Sequence, residues 1–174
     1  MLTPKTFLLL ALFLLIAAIC LSKETKPMTN STISPAAAPA VAPVKKPTLN
    51  DVIAAIREVE TGGHRDPTHA VGDNGKSLGP YQISNGYYQD SLLVLHRLNY
   101  DVPPYKVAVT SDTWAPEIMK GYWQRWCPEA VQSVDVETLS RVHNGGGTTG
   151  MKNDNTVKFW LKVQRILKRK GFSV

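Results

Sequence analysis

Glu58, Val59, Glu60, Thr61, Gly62, then Gly72, Asp73, Asn74, Gly75, then Ser77, Leu78, Gly79, Pro80, Tyr81, Gln82, Ile83: these three runs decide how the chain reads. The first closes a helix. Val52, Ile53, Ile56 and Val59 recur at three- and four-residue spacing, which predicts a helix over 51–61 with Asn50 as N-cap and Gly62 and Gly63 as the stop. Glu60 falls on the same stripe, because positions i and i+4 share a face. Its carboxyl is then aimed at the core or a cleft wall, unless the last turn frays and tilts it into solvent. In the second run the Asn74-Gly75 pair suits a tight hairpin turn, and the third, Ser77 to Ser84, reads as a strand-like segment.

Two carboxylates in unlike surroundings are what acid-catalysed glycosidic cleavage requires. Burial disfavours the charged form and raises a carboxyl pKa, as a general acid needs, whereas a Gly-rich turn rich in backbone amides keeps a carboxylate ionised. Glu60 fits the first description and Asp73 the second. Asp73 is equally well placed as a plain turn residue.

Outward from these runs, apolar spacing predicts further helices at 86–98, 113–127, 136–143 and 156–170, separated by Pro103, Pro104 and Gly145 to Gly147. The fold class is therefore α+β: mainly helical, with one small β-hairpin lobe. Trp114, Trp123, Trp126 and Trp160 fall on those helices and read as core, with one of them free to serve as a sugar platform.

The N-terminal part differs in kind. Phe7 to Leu21 is an apolar run of 15 residues behind Lys5, right for a signal-peptide core and short for a bilayer span. No clean small-residue cleavage site follows, so a signal anchor in residues 7–21 is the alternative to a cleaved signal. Cys20 has Ile19 before it, where an acylated cysteine would want a small residue. Lys23 to Lys46 is rich in Pro, Ala, Ser, Thr and Lys and lacks aromatics, which describes an extended tether; its Asn30, Ser31, Thr32 triplet is a glycosylation sequon. The expected organisation is a leader (1–22), a linker (23–47) and one domain (48–174), secreted or held on the non-cytoplasmic side of a membrane.

Composition sets limits. The chain has 174 residues, 43% of them hydrophobic, with four Trp, six Tyr and four Phe, enough for one core. Only Cys127 lies in the domain, so no disulfide can form within it. The net charge of +6 is uneven: from residue 48 there are 15 Lys plus Arg against 13 Asp plus Glu, and six of those cations fall between Lys158 and Lys170. Such a strip attracts an anionic polymer, or is simply a solvated helix end.

The three runs together resemble the active-site region of the invertebrate-type (destabilase) lysozymes. A second stretch is similar too: Leu139, Ser140, Arg141, Val142, His143, Asn144, Gly145, Gly146, then Thr156, Phe159, Trp160, Lys162 and Val163. The resemblance spans about 52–166. It implies a lysozyme-like fold and muramidase action on the β-1,4 bonds of peptidoglycan, with the family's catalytic Glu at Glu60 and its catalytic Asp at Asp73. By the same likeness Tyr81 and Gln82 line the cleft and contact sugar, with His143 and Asn144 across it. A structural role for His143 and Asn144 in a helix-ending Asn-Gly-Gly is the alternative. This chain departs from the family in lacking its disulfides and in the segment from Tyr88 to Thr110, and no Ser or Lys spacing carries over the isopeptidase activity of some relatives.

Such chemistry calls for no cofactor and no metal. His64 and His69 flank Asp66 without a third ligand at zinc spacing, and Gly145 to Gly147 follow a helix where a phosphate cradle would follow a strand. Peptidoglycan is the expected partner and nucleic acid is not; the oligomeric state is not encoded legibly. Three other readings stay open at this level: a lytic transglycosylase, in which one Glu suffices; a non-catalytic wall-binding module on a membrane-anchored stalk; and a membrane-anchored protein whose basic C-terminal helix contacts anionic lipid or nucleic acid.

Overall fold

The computed structural model describes residues 45–63, 68 and 70–174, with Asp73 placed by its backbone alone. The leader, the linker up to residue 44, and His64, Asp66 and His69 lie outside the described residues. Among the described residues no helix is long and apolar enough to cross a membrane.

Helix α1 (Leu49–Thr61) starts at Thr48, not at Asn50 as the sequence predicts. Thr48 Oγ1 accepts from the Asp51 amide at 3.3 Å while the Asp51 carboxylate accepts from the Thr48 amide at 2.8 Å. This reciprocal pair satisfies two otherwise orphaned donors, an advantage Asn50 lacks without an acidic residue three positions on. Gly62, at φ 60°, ends the helix in the left-handed conformation that favours glycine. Val52, Ala55 and Ile56 are fully buried on its inner face.

Next comes a three-stranded antiparallel sheet: β1 (Val71–Gly72), β2 (Ser77–Leu78) and β3 (Ile83–Ser84), in that order. Register pairs Gly72 with Ser77 and Leu78 with Ile83. The 77–84 segment is thus two strands, because Gly79 (φ 76°) and Pro80 reverse the chain inside it. The first turn is as the sequence predicts, with Asn74 at φ 54° and Gly75 at φ 91°.

Six helices follow: α2 (Asn85–Leu95), α3 (Tyr105–Thr110), α4 (Trp114–Trp126), α5 (Pro128–Ser133), α6 (Val136–Gly145) and α7 (Asn155–Arg169). α2 and α4 form the central pair, around the fully buried Ile118, Met119 and Trp123. Ser91 donates to the Ile118 carbonyl across that pair at 2.8 Å. A side chain at Gly121 would come within 3.0 Å of Leu95 Cγ, so glycine sets how closely the two helices approach. α6 packs on α7, and α7 on α1, through Leu139, Val163 and Leu167. Deleting such a side chain costs about 2–5 kcal/mol. The six-residue helices α3 and α5 were not expected; α3 is held from outside, by Tyr105 donating to the Ile83 carbonyl at 2.7 Å.

Candidate functional site

The end of α1, the sheet, the start of α2 and the end of α6 enclose a groove of about 470 Å³. Glu60 stands on its wall. One turn beyond the buried Ile56, its side chain is 18% exposed, and its Oε1 lies 3.5 Å from Nε2 of His143. Gln82, Asn144, Ser84 and Asp90 line the same groove, whose surface is mostly polar.

His143 is buried among the rings of Tyr87, Trp123 and Phe159. Nδ1 sits 3.3 Å from the Tyr87 hydroxyl, and Nε2 faces Glu60. Burial pushes the Tyr87 phenol well above its ordinary pKa, so it keeps its proton. When the Tyr87 hydroxyl donates to Nδ1, the imidazole carries its proton on Nε2 and offers it to a Glu60 carboxylate. When Tyr87 instead accepts from Nδ1–H, Nε2 is free to accept from a protonated Glu60. His143 can therefore hold the carboxyl in place in either protonation state.

Behind this pair lies an aromatic floor. Tyr87 and Tyr122 stack with centroids 3.5 Å apart and planes 13° from parallel. The Tyr122 hydroxyl accepts from the Gly147 amide at 2.8 Å, and Trp126 donates to Asp90 at 3.2 Å. A Cβ at Gly147 would lie 2.1 Å from Trp126 Cδ2, so the loop after α6 needs glycine there to lie on the ring. Tyr87, Asp90 and Tyr122 line the groove and escape sequence reasoning: aromatics at helical spacing read as core, and nothing in one sequence marks which side chains of a helix face a groove.

The remaining expected residues divide. Gln82 lies in the groove at φ 49°, with Nε2 donating to the carbonyl of Gly79 at 2.9 Å and more weakly to that of Ala70 at 3.5 Å. Its amide hydrogens thus hold the β-lobe together, leaving the carbonyl oxygen, which packs on Gly72. Asn144 is exposed in the groove. Tyr81 is not there. It is buried and lines a separate depression of about 790 Å³ with Arg57 and Asp112, so direct sugar contact in the Glu60 groove does not fit its position. That larger depression lacks the Glu–His pair and is crossed by a loose Arg57–Asp112 contact of 3.8 Å. Asp73 follows Gly72, which pairs with the groove residue Ser77, and opens the turn between β1 and β2. Among the described residues no cluster of three or more His, Cys, Asp or Glu could hold a metal.

No family model matches the chain. Among curated proteins it is similar to a lysozyme of Magallana gigas, 25% identical over 89 residues that span 51% of this chain and 59% of that protein. Among solved structures it is similar to the lysozyme of Tapes japonica (TM-score 0.57, 23% identity, 74% of this chain and 100% of that one). It is also similar to an inhibitor-bound lysozyme from Meretrix lusoria (TM-score 0.55, 22% identity, 75% and 99%). The fold is that of a lysozyme, and the likeness in sequence and in architecture is to invertebrate lysozymes.

Proposed function

We propose that this chain is a lysozyme-type glycoside hydrolase that cleaves the β-1,4 bonds of peptidoglycan. The observation that carries the reading is the Glu60 carboxyl on the wall of a polar groove, backed by a buried histidine, on a lysozyme fold. Glu60 protonates the bridging oxygen of the bond and the departing sugar leaves as an alcohol. Asp73 is assigned from its place in the motif as the ionised partner, attacking the anomeric carbon or stabilising its positive charge; water completes the cleavage. Gln82 positions the lobe, and Asn144 offers an amide to the glycan. The leader 1–22 and linker 23–47 are assigned to export and tethering of the 48–174 domain on the non-cytoplasmic side.

Clearing of a suspension of bacterial walls tests this, with wild type, Glu60→Gln and Asp73→Asn compared. The wild type clears; each variant, with an unchanged unfolding curve, loses at least about a hundredfold in rate. Equal clearing by Glu60→Gln overturns the assignment. Mass spectrometry of the products separates the reactions: anhydro-muramic ends would replace hydrolysis by transglycosylation.

A further inference from the structure

The outer face of α7 carries an arrangement the groove does not use. Lys158, Lys162, Arg165 and Lys168 are all exposed and follow one another at four, three and three residues. At 1.5 Å per residue they form one stripe about 15 Å long. The helix cannot roll away from solvent there, because its opposite face buries Phe159, Val163 and Leu167. Among the described residues none of the four pairs with a carboxylate, whereas Arg169 and Lys170 share Glu58. The rest of the domain has the opposite sign. Without the six cations between Lys158 and Lys170, the residues from 48 onward hold nine Lys plus Arg against 13 Asp plus Glu.

An ordinary solvated helix face mixes signs and gains from pairs one turn apart; a single-sign stripe repels itself, and a polyanion offsets that repulsion. The only large apolar side chain on the stripe is Leu161, too little to insert into a bilayer, and no aromatic ring lies on it for nucleotide bases to stack upon. The cations rise about 4.5–6 Å at each step along the axis, which suits a linear polymer with a phosphate in every short repeat.

We propose that the outer face of α7 docks the domain onto a polyol-phosphate polymer borne on the bacterial wall. The choice of surface rests on the proposed peptidoglycan hydrolysis; the charge pattern does not. The stripe would hold the enzyme at the wall between cleavages, with an affinity that falls as salt rises.

Binding is measured with the full chain carrying Glu60→Gln, so that the wall is not consumed. Sacculi bearing the polymer, sacculi stripped of it, phosphatidylglycerol vesicles and duplex DNA are compared. The expected result is binding to polymer-bearing sacculi at least about tenfold tighter than to stripped ones, with the difference lost on combining Lys158→Gln, Lys162→Gln, Arg165→Gln and Lys168→Gln. The pair Lys158→Gln and Lys162→Gln alone should remove part of it, should the fourfold variant fail to fold. Equal binding with and without the substitutions overturns the proposal, as does tighter binding to vesicles or DNA than to polymer-bearing sacculi. Hydrolysis of stripped sacculi with Glu60 intact is expected to be the same with or without the four substitutions. Failure of the wild type to hydrolyse stripped sacculi would count against the enzymatic reading and leave the polymer comparison standing.

Discussion

Glu60 Oε1 and His143 Nε2 face each other at 3.5 Å, from the last turn of α1 and the last turn of α6, while the imidazole's other nitrogen meets the Tyr87 hydroxyl at 3.3 Å. One buried ring thereby joins three helices at the point where the groove is narrow in polar choice: it has one carboxyl to orient and one phenol to fix how it does so.

His143→Gln should therefore lower kcat by at least about tenfold with little change in KM, since the carboxyl loses the group that orients it. Tyr87→Phe should do the same to a smaller extent. Steady-state rates on soluble glycan fragments check this. An unchanged kcat in a folded His143→Gln would show that the ring merely fills space.

Gln82 sits in a backbone region that costs a non-glycine residue about 1–2 kcal/mol, and compensates through its amide bonds to Gly79 and Ala70. Gln82→Ala keeps the strain and loses the bonds, so urea unfolding should show a loss of about 1–2 kcal/mol. Gln82→Gly loses the bonds and relieves the strain, and should unfold at a higher urea concentration than Gln82→Ala. The reverse order would contradict the role given to the amide.

Asp51 is held below its ordinary pKa of 3.8, chiefly by the side-chain and then the backbone hydrogen bond from Thr48, against a smaller opposing effect of burial. A depressed folded pKa means stability that is complete above the unfolded value and lost as pH falls through the folded one. Thr48→Ala should cost about 1 kcal/mol at pH 7. The gap between variant and wild type should narrow below pH 3.8, as measured by thermal unfolding at several pH values. A constant gap down to pH 2 would exclude the cap's dependence on an ionised Asp51.

Burial, aided by the negative charges of Asp135 and Glu129, pushes the Cys127 thiol up to about 12. The thiolate is the reactive form, so a disulfide reagent at pH 8 should label Cys127 only after unfolding. Rapid labelling of the native protein would show that α4 opens locally at its C-terminal end.

Five of the seven α-helices among the described residues are readable from residues alone, because each runs ten residues or more with a recurring apolar face. Short α3 and α5 offer no such repeat. α5 arises where Cys127 breaks from helical geometry (φ −150°, ψ 59°) and Pro128 restarts it at a first-turn position, which a proline favours. The misplaced N-cap has a similar origin: Thr48 and Asn50 are both good caps by type, and what separates them is the reciprocal bond that Asp51 makes to Thr48.

Glu60 was legible from its stripe as a residue facing the core or a cleft wall, and Gly62, Asn74 and Gly75 through the positive φ each position demands. The sequence-level resemblance names Tyr81 and Gln82 side by side, and the fold parts them: both lie in the turn between β2 and β3, where the left-handed backbone at Gln82 (φ 49°) turns the chain, so that Gln82 lines the groove and Tyr81 the depression beside Arg57 and Asp112. What the chain determines alone is its helices, its turn and the stripe that carries one carboxyl, since those depend on residues within a turn or two of each other. What surrounds that carboxyl was left to tertiary structure: His143 meets Tyr87 across 56 residues of sequence, and only the packing of α1, α2 and α6 on one core brings a ring nitrogen to each.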